Sequence, residues 1–397
     1  MNLLIVSPYY TPELGAAPSR ITNMAEGLEQ EGASVEVLTC LPNYPKGHIF
    51  NGYRGCISRH EQINGVSVHR YWTYSSVSKN PVKRMLSMLT FSVAIWGFGL
   101  RIWRILKYDR VIIQSPPLPV AFSAMILFRC LYRRCTILNV SDLWPISAVE
   151  LGAIKQGSLY YNVLAYMEKF LYRNASAVQG QSQEIIDHVK RMNGRLPLFL
   201  YRNLQPHSEQ NISPNERQNG FRIVYAGLLG VAQDILSLIK HIDFKKIGAE
   251  LHIYGGGNQV AEIEDYLKNN DTGVFYHGYI SKEEINRILP TYQASIVPLA
   301  VRIKGAVPSK IFDLLPHGVP ILFCGGGEVA DILNVHGLGM VSEPGDYDAL
   351  SNNISKISIL SDSEYLKLRQ NCLAASMNVF SYSKQIHQLY IFLANLI

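Results

Sequence analysis

The sequence predicts an α/β protein made of two Rossmann-like domains with mostly parallel sheets and a ligand cleft between them. Three observations support this: short apolar runs alternate with helical patterns, glycines follow several of those runs, and 397 residues suffice for two domains. The polar stretch Asn203–Gly220 is the best linker in the chain. We therefore expect an N-terminal domain at 1–203, a C-terminal domain at 204–380 and a final helix at 381–397 that packs back on the first domain.

The first domain opens with a β-loop-α-β pattern of the doubly wound kind. A strand at Leu3–Ser7 is followed by a loop, a helix over about Ser19–Glu31 and a strand at Val35–Thr39. Gly15 and Ala16 lie in that loop, where small side chains let a ligand approach the backbone closely. The loop lacks the G-x-G-x-x-G spacing of a dinucleotide site.

Further strands complete the two predicted sheets. Asn64-Gly65 predicts the turn of a hairpin that ends in the strand Val66–Tyr71. Other apolar runs predict strands at Val111–Gln114, Thr136–Val140, Arg222–Tyr225, Glu250–Tyr254, Val274–Tyr276, Ser295–Pro298, Val319–Cys324 and Met340–Val341. Helices are expected at Tyr347–Leu360, Ser363–Ala375 and Lys384–Ala394. Glycines that follow three of these strands, at 227, 255–257 and 325–327, predict a rim at the carboxyl edge of a sheet that polar ligands can approach.

The stretch Val301–Cys324 predicts an anion site. Ser309 is a candidate N-cap of a short helix that Pro316 ends, so the first three N–H groups of that helix are expected to be free. Lys310 adds a full positive charge at that terminus, and Asp313 lies on the same helical face as Ser309. The alternative is an ordinary capped turn, which the spacing alone favours because caps are far commoner than phosphate sites.

Charge is unevenly distributed along the chain. Residues 1–205 contain 22 Lys and Arg against 12 Asp and Glu, while residues 206–397 contain 15 against 19. The positive half carries an apolar run at Met85–Leu100 with basic residues at both ends and tryptophans suited to an interface. Nothing in the sequence has zinc-ligand spacing or an RNP-type aromatic motif, so an anionic membrane surface is expected and not nucleic acid. The candidate membrane-facing residues are Lys83, Arg84, Trp96, Arg101, Trp103 and Arg104.

The same apolar run has a second interpretation. Its sixteen residues are too short for a membrane span, and helices here and at Ala121–Leu131 could cover a buried sheet. Both roles are expected together because each helix has apolar residues on more than one face. The chain begins with an apolar strand and not a signal peptide, and its six cysteines form no C-x-x-C pair. We therefore expect a cytoplasmic protein that associates peripherally with the inner face of the plasma membrane.

Two acidic positions allow more than one interpretation. Asp142 follows a predicted strand at the edge where open α/β sheets bind ligands, so it could orient an acceptor or sugar hydroxyls. An Asx turn before Trp144-Pro145 explains this residue equally well. Asp346-Tyr-Asp348 has the form of a metal-binding D-x-D, but its position before a helix predicts an N-terminal cap. No His, Cys or carboxylate cluster has ligand spacing, so no metal site is expected.

Several glycine-rich and aromatic motifs resemble the GT-B glycosyltransferases of family four. They are Tyr225–Gln233, Ile253-Tyr-Gly-Gly-Gly257, Tyr276-His-Gly-Tyr279 and Pro308–Pro320, and the resemblance covers nearly the whole chain. Three further motifs are similar to a bacterial subgroup of proposed N-acetyl-L-fucosaminyl transferases, which build O-antigen and capsule repeats. They are Leu41-Pro-Asn-Tyr-Pro45, Asp142-Leu-Trp-Pro145 and Pro308-Ser-Lys310.

The resemblance implies a retaining, metal-independent transfer from a UDP-linked sugar to a polyprenyl-diphosphate-linked saccharide, with no other cofactor. It places the donor mainly in the C-terminal domain, in the cleft. Lys310 is the candidate ligand of the diphosphate, Asp313 of the ribose hydroxyls and Asp142 of the acceptor or sugar hydroxyls. The remaining candidate donor-binding residues are Gly15, Ala16, Gly227, Gln233, Tyr279 and Ser309.

The chain departs from the family pattern at functional positions. The usual acidic pair, eight residues apart, becomes Gly305 and Asp313, and the Arg and Lys of the glycine turn become Leu228 and Gln233. The loss of two cations should leave more of the diphosphate to Lys310 and its helix terminus.

Two rival functions follow from these departures. A nucleotide-sugar epimerase of the same fold needs no lipid acceptor, so the basic apolar helices count against it. A non-catalytic component of a polysaccharide assembly complex is favoured by the lost acid at Gly305 and the lost cations at Leu228 and Gln233.

Overall fold

The computed structural model describes residues 1–44, 47–76, 81–206 and 220–396, except for the side chains of Pro81 and Arg84. The chain forms two compact units. The first comprises Met1–Pro206, Lys304–Ala306 and Tyr382–Ile397, and the second comprises His207–Ile303 and Val307–Ser381. Most of the expected linker, Lys79 and Pro45 lie outside the described residues.

The first unit contains an eight-stranded sheet. Its strands are β1 (Asn2–Val6), β2 (Ser34–Cys40), β3 (Ser58–Ile63), β4 (Val66–Tyr71), β5 (Arg110–Ser115), β6 (Cys135–Val140), β7 (Ala177–Gly180) and β8 (Leu198–Leu200). Their order is β3-β4-β2-β1-β5-β6-β7-β8, and every neighbouring pair is parallel except β3 with β4. Asn64 and Gly65 have positive φ angles of 48° and 87°, which confirms the predicted hairpin turn.

Helices cover both faces of this sheet. They are α1 (Ala16–Gln30), α2 (Pro81–Gly99), α3 (Ile102–Ile105), α4 (Leu118–Met125), α5 (Ile146–Glu150), α6 (Leu159–Asn174) and α7 (Gln183–Met192), and a π-helical segment at Ile126–Leu131 continues α4. On one face α2, α4 and α6 bury Phe91, Met125 and Leu164 against the strands, while α1 buries Ile21 and Met24 on the other face. This is the doubly wound arrangement that the sequence predicts.

The start of α1 differs from the prediction. We expected the helix to begin near Ser19, but it begins at Ala16. Gly15 provides the helix entry with φ 127°, and the Ser19 N–H already donates to the Gly15 carbonyl at 3.1 Å. Glycine reaches this backbone conformation without the steric cost of a side chain, so no serine cap is required.

The second unit contains a six-stranded, entirely parallel sheet in the order β11-β10-β9-β12-β13-β14. Its strands are β9 (Phe221–Ala226), β10 (Ala249–Tyr254), β11 (Val274–Tyr276), β12 (Ala294–Pro298), β13 (Ile321–Cys324) and β14 (Gly339–Ser342). Its helices are α8 (Ile235–His241), α9 (Val260–Asn269), α10 (Lys282–Ile288), α11 (Lys310–Leu314), α12 (Glu328–His336), α13 (Tyr347–Ser358) and α14 (Asp362–Asn378). The core is built from the apolar faces of these elements around Ile223, Leu251 and Leu322.

The last helix, α15 (Tyr382–Ala394), belongs to the first unit. Its Ile386, Leu389 and Leu393 are buried in the same cluster as the apolar face of α1. The Tyr382 hydroxyl donates to the Asn23 carbonyl at 2.6 Å. Apolar burial and one hydrogen bond to a backbone acceptor therefore hold the chain end against α1.

Candidate active site

The carboxyl edge of the second sheet is formed by two glycine turns that contact each other through the backbone. The Gly227 N–H donates to the Tyr254 carbonyl at 2.8 Å, and the Leu229 N–H donates to the Gly256 carbonyl at 2.9 Å. A Cβ at Gly255, where φ is +148°, would overlap the Gly227 carbonyl. Only glycine therefore permits this close packing, and the predicted glycine rim after β9 and β10 is confirmed.

Lys310 lies over the rim, at the start of α11. Its Nζ donates to the Tyr225 hydroxyl at 3.1 Å and sits 4.3 Å from the centroid of the Tyr225 ring. A Cβ at Gly227 would overlap Nζ and Cε, so the missing side chain at that position leaves the space that Lys310 occupies. Burial lowers the pKa of Lys310 to about 8, against the opposing effect of Asp313. The result is a desolvated cation on an aromatic face.

Asp313 is the second ionisable group at this edge. Its Oδ1 is buried, and among the described residues it has no hydrogen-bond partner. Burial raises the pKa of Asp313 to about 6, although the charges of Lys282 and Lys310 lower it. A buried carboxylate oxygen without a donor is costly unless a ligand supplies one. The structure thus places three of the candidate donor-binding residues near one another, with Lys310 beside Gly227 and within electrostatic reach of Asp313.

The short helix that follows Ser309 begins without the predicted side-chain cap. The helix α11 has five residues, and within the described part of the chain the Ser309 side chain makes no capping hydrogen bond. The Ile311 N–H donates to the Pro308 carbonyl and the Phe312 N–H to the Ser309 carbonyl, so these two groups are already used. The predicted side-chain cap is thus absent from the described residues, and the tight turn itself uses two of the three N–H groups that were expected to be free. The end of this segment is as predicted, with a 3₁₀ turn through Pro316 and Gly318 at φ 61°.

Two further donor candidates lie on loops of the second unit. Gln233, in the turn after β9, has a buried Oε1 that finds no hydrogen-bond donor in the described ranges. Tyr279 follows β11, and its side chain is 69% exposed. Leu228, which stands where the family has a cation, is 60% exposed. Tyr279 and Leu228 are thus open to solvent, whereas the Gln233 amide oxygen is enclosed.

In the first unit, Asp142 follows β6 at the carboxyl edge of its sheet. The turn here is closed by the backbone, because the Trp144 N–H donates to the Asp142 carbonyl at 3.0 Å. The carboxylate is therefore not required to build this turn. Burial raises the pKa of Asp142 to about 6, while the charge of Arg20 and a hydrogen bond with Ser141 lower it. Burial therefore disfavours the ionised form of Asp142, whereas Arg20 and Ser141 favour it.

The sequence reasoning missed Arg20, which is 2% exposed. Its guanidinium donates to the Gln181 Oε1 at 2.8 Å and to the Gln114 Oε1 at 3.0 Å, and Gln114 donates in turn to the Ser141 Oγ at 2.9 Å. Both hydrogen-bond partners are neutral. Burial lowers the pKa of Arg20, and the nearby group that opposes this effect most is Asp142. The network links α1 with the loop after β6, and no spacing rule predicts such non-local contacts.

Gly15 and Ala16 start α1. A Cβ at Gly15 would come within 3.3 Å of the Tyr44 ring, so this glycine makes room for an aromatic side chain. The Ala16 carbonyl accepts a hydrogen bond from the Asn203 amide at 3.2 Å. Both candidates thus border the loop over Tyr44, at the carboxyl edge of the first sheet.

The acidic D-x-D motif is a helix cap, as predicted. The Asp346 Oδ1 accepts a hydrogen bond from the Ala349 N–H at 2.9 Å, and Asp348 pairs with His241 at 2.9 Å. Among the described residues, no group of three or more His, Cys, Asp or Glu side chains could hold a metal ion. The Asp346 carboxylate thus caps the helix, and the Asp348 carboxylate contacts His241.

The candidate membrane-facing residues lie on and after α2. Lys83 and Arg101 are exposed and Trp103 is 72% exposed, whereas Trp96 donates to the Ser123 Oγ at 3.0 Å. The Arg104 guanidinium lies 5.7 Å from the Phe98 ring centroid, and the Arg84 side chain is outside the described atoms. No helix in the described ranges is long and apolar enough to cross a membrane.

Comparison with known protein families accounts for most of the chain. Residues 15–197 match the glycosyl transferase 4-like domain, and residues 220–359 match glycosyl transferases group 1. The chain belongs to the GT-B glycosyltransferases. This assignment agrees with the two parallel α/β sheets and confirms the resemblance at the level of the family.

Two curated proteins are similar in sequence to part of this chain. The putative colanic acid biosynthesis glycosyl transferase WcaI of Escherichia coli (strain K12) is 28% identical over 40% of this chain and 38% of its own length. The probable glycosyltransferase WbjE of Pseudomonas aeruginosa is 26% identical over 56% of this chain and 59% of its own. The alignments therefore span less than two thirds of each relative.

Solved structures match the whole glycosyltransferase chain. Sucrose-phosphate synthase from Thermosynechococcus elongatus has a TM-score of 0.73 at 14% identity, over 99% of both chains. HepE from Anabaena, solved in complex with UDP, has a TM-score of 0.69 at 14% identity over 100% of both chains. At this identity the likeness shows a shared fold.

The position of Lys310 predicts an unusual titration. We expect its ammonium to titrate near pH 8, against an ordinary value of 10.5, because burial penalises the charged form. The measurement is ¹³Cε NMR of ¹³C-lysine-labelled protein, with Lys310→Arg used to assign the resonance. A Lys310 signal that titrates with the exposed lysines above pH 10 would contradict the buried placement.

Proposed function

We propose that this glycosyltransferase moves a sugar from a UDP-linked donor to a polyprenyl-diphosphate-linked saccharide in bacterial surface polysaccharide synthesis. The transfer retains the anomeric configuration and uses no metal. The observation that carries the proposal is the Lys310 ammonium held on Tyr225 beside Gly227, at the edge where parallel α/β sheets bind ligands. The UDP in the HepE structure supports the choice of nucleotide.

The donor diphosphate is the natural ligand of Lys310. Burial removes water from the Lys310 ammonium and lowers its pKa to about 8. A bound anion would stabilise the protonated form, because it provides an opposite charge where water is excluded. Gly227 has no side chain, so the Lys310 ammonium can lie against the backbone there and meet a phosphate oxygen from that position. As the bond to the sugar breaks, negative charge grows on the diphosphate, and the positioned cation stabilises it without help from a metal.

The two carboxylates bind hydroxyl groups in this proposal. Asp313 has a buried oxygen without a donor in the described structure, which a ribose hydroxyl satisfies. Asp142 is not needed to close its turn, so it is available to orient a hydroxyl of the acceptor or of the transferred sugar. Gly15 and Ala16 in the first unit, and Gln233, Tyr279 and Ser309 in the second, complete the proposed donor contacts.

Within the family we propose the N-acetyl-L-fucosaminyl subgroup, whose products are O-antigen and capsule repeats. The support is the match of Leu41–Pro45, Asp142–Pro145 and Pro308–Lys310 to that subgroup's motifs. The name of WcaI, which refers to colanic acid biosynthesis, is consistent with a surface polysaccharide. An amino sugar is thus the proposed transferred group.

We also place the protein on the cytoplasmic side of an anionic membrane, through α2 and the segment after it. Exposed apolar side chains on α2 include Met85, Leu89 and Val93, and Arg101 and Trp103 follow directly. Apolar and basic groups on one surface are typical of interfacial binding. Such binding brings the first unit close to a lipid-linked acceptor.

Replacing Lys310 tests the donor site. We expect Lys310→Ala to weaken UDP binding by about 2 kcal/mol, roughly 30-fold, because one charge-assisted hydrogen bond is lost. Wild-type affinity should also fall as the pH rises through about 8, since deprotonated Lys310 carries no charge, and this dependence should be absent from the variant. Isothermal titration calorimetry between pH 6 and 9 measures both.

Lys268→Ala is the matched control, because Lys268 is an exposed lysine of the same unit at the end of α9. It should bind UDP as the wild type does. Equal affinity of the Lys310→Ala and Lys268→Ala variants would remove Lys310 from the donor site. Conversion of a UDP-sugar to its epimer, with no transfer to any lipid-linked saccharide, would favour the epimerase instead.

A triple variant tests membrane binding. Lys83→Glu, Arg101→Glu and Trp103→Ser together should lower partitioning to phosphatidylglycerol vesicles by more than tenfold, because each basic residue contributes about 1 kcal/mol near such a surface. The matched control is Lys190→Glu, Arg191→Glu and Met192→Ser, which changes the same charge on the exposed end of α7. Sedimentation with vesicles measures both, and equal pelleting of the two variants would show that α2 is only a core helix.

A further inference from the structure

The first unit contains a pocket of about 400 Å³. Its walls come from the loop after β1, the loop after β2, α2, the prolines after β5 and the start of α6. Trp144, two residues after Asp142, also lines it. Burial and nearby charges, which include Glu13 and Asp142, raise the pKa of the Tyr9 hydroxyl to about 12. The pocket therefore adjoins Asp142 at the carboxyl edge of the first sheet.

Aromatic rings and a few polar groups make up the lining. Four of the rings belong to Tyr9, Tyr44, Trp144 and Tyr160, of which Tyr44 and Tyr160 are 42% and 50% exposed. Asparagine, threonine and serine side chains lie between them, together with one carboxylate, Glu13. Apolar walls with a small number of placed polar groups are the composition of a small-molecule site.

Glu13 is the charged group of the pocket and is 6% exposed. Its Oε1 accepts the N–H groups of Asn43 and Tyr44, at 2.8 and 2.9 Å, and so anchors the loop after β2. Its Oε2 is buried and has no hydrogen-bond donor among the described residues. One oxygen of this carboxylate thus builds the loop, and the other remains available to a ligand.

The lining restricts what can occupy the pocket. A hydrocarbon chain would leave the Glu13 Oε2 buried without a donor, which is costly. An anionic group would meet the Glu13 charge, and the described lining residues include no Lys, Arg or His. Arg70, which acts on Glu13 from outside the lining, is already paired with Glu61. A sugar ring without a negative charge satisfies both conditions, because its hydroxyl or amide groups donate to the carboxylate and its apolar faces lie against the rings.

We propose that this pocket binds a neutral sugar ring of the acceptor and that the Glu13 carboxylate accepts hydrogen bonds from its hydroxyl or amide groups. The proposal rests on the function proposed above and adds the charge class of the acceptor. Glu13 is then a specificity-determining residue, since it selects sugars with donors at that position and rejects uronic acids. Gly15 contributes by leaving room for the Tyr44 ring that forms one wall.

The test uses two synthetic probes with the same short prenyl-diphosphate group, one carrying N-acetylglucosamine and the other glucuronic acid. Isothermal titration calorimetry measures their Kd with the full-length wild type and with Glu13→Gln, which keeps an oxygen for the loop but turns the other atom into a donor. The wild type should bind the neutral probe at least tenfold more tightly than the acidic one. Glu13→Gln should weaken binding of the neutral probe by about tenfold or more. The ratio between the Kd values of the two probes should therefore become smaller.

Two further variants separate recognition from structure. Glu29→Gln is the matched control, because the Glu29 Oε2 accepts the Val35 N–H at 2.9 Å away from the pocket lining, and it should bind both probes as the wild type does. Tyr44→Leu removes a ring of the pocket wall and leaves the Glu13 carboxylate in place, so it should weaken binding of both probes. This variant tests the pocket even if Glu13→Gln does not fold.

Binding of UDP to the same proteins distinguishes the two proposals. If UDP binds and Glu13→Gln has wild-type affinity for the neutral probe, the pocket assignment is overturned and the donor site stands. The pocket assignment is also overturned if the wild type binds the acidic probe as tightly as the neutral probe. If the wild type binds the neutral probe with the expected preference but no UDP, the donor assignment fails and the pocket assignment stands.

Discussion

The contact on which the donor half of the structure depends is the packing of the Lys310 ammonium against the Tyr225 ring. It requires the absence of a side chain at Gly227, since a Cβ there would occupy the same space. It also requires the Gly227 turn to stay in place, which the hydrogen bond from Gly227 to the Tyr254 carbonyl provides. The cation is therefore positioned by backbone geometry before any ligand arrives, and such preorganisation is what stabilises developing charge.

Burial at this edge has a cost that a ligand offsets. The pKa of Lys310 is lowered to about 8 and that of Asp313 is raised to about 6, so desolvation disfavours the charged form of both groups. In the proposed donor complex, a nucleotide diphosphate would give Lys310 an opposite charge, and a ribose hydroxyl would give Asp313 a donor. The same reasoning applies to Glu13 in the first unit, where a buried carboxylate oxygen is left for a sugar hydroxyl. Both sites are thus incomplete hydrogen-bonding environments rather than preformed ion pairs.

The fold was largely predictable because its signals are local. Apolar runs located eleven of the fourteen described strands to within two residues at either end, and Asn64-Gly65 identified the hairpin. The bounds of β3, β7 and β8 were not predicted. The prediction was wrong at the start of α1, which begins at Ala16 and not near Ser19, and at Ser309, whose side chain makes no cap among the described residues. Sequence propensities describe which residues can cap a helix, but they do not show whether a turn already satisfies its donors.

The sites were only partly predictable because their contacts are distant in sequence. Lys310 was found from its place after Pro308 and Ser309, whereas its support by Tyr225 joins residues 85 positions apart. Glu13 and Arg20 were missed, since one contacts a loop 30 residues away and the other contacts strands 94 and 161 residues away. Nothing in the local pattern distinguishes such residues from ordinary surface charges.

The most direct test of the donor site is an experimental structure of the protein with UDP. The distance to measure is that from the Lys310 Nζ to the nearest β-phosphate oxygen. The account predicts about 2.7–3.1 Å, a charge-assisted hydrogen bond, with Nζ still beside Gly227. A UDP molecule whose phosphates lie more than about 6 Å from Nζ, beyond any direct hydrogen bond, would contradict it.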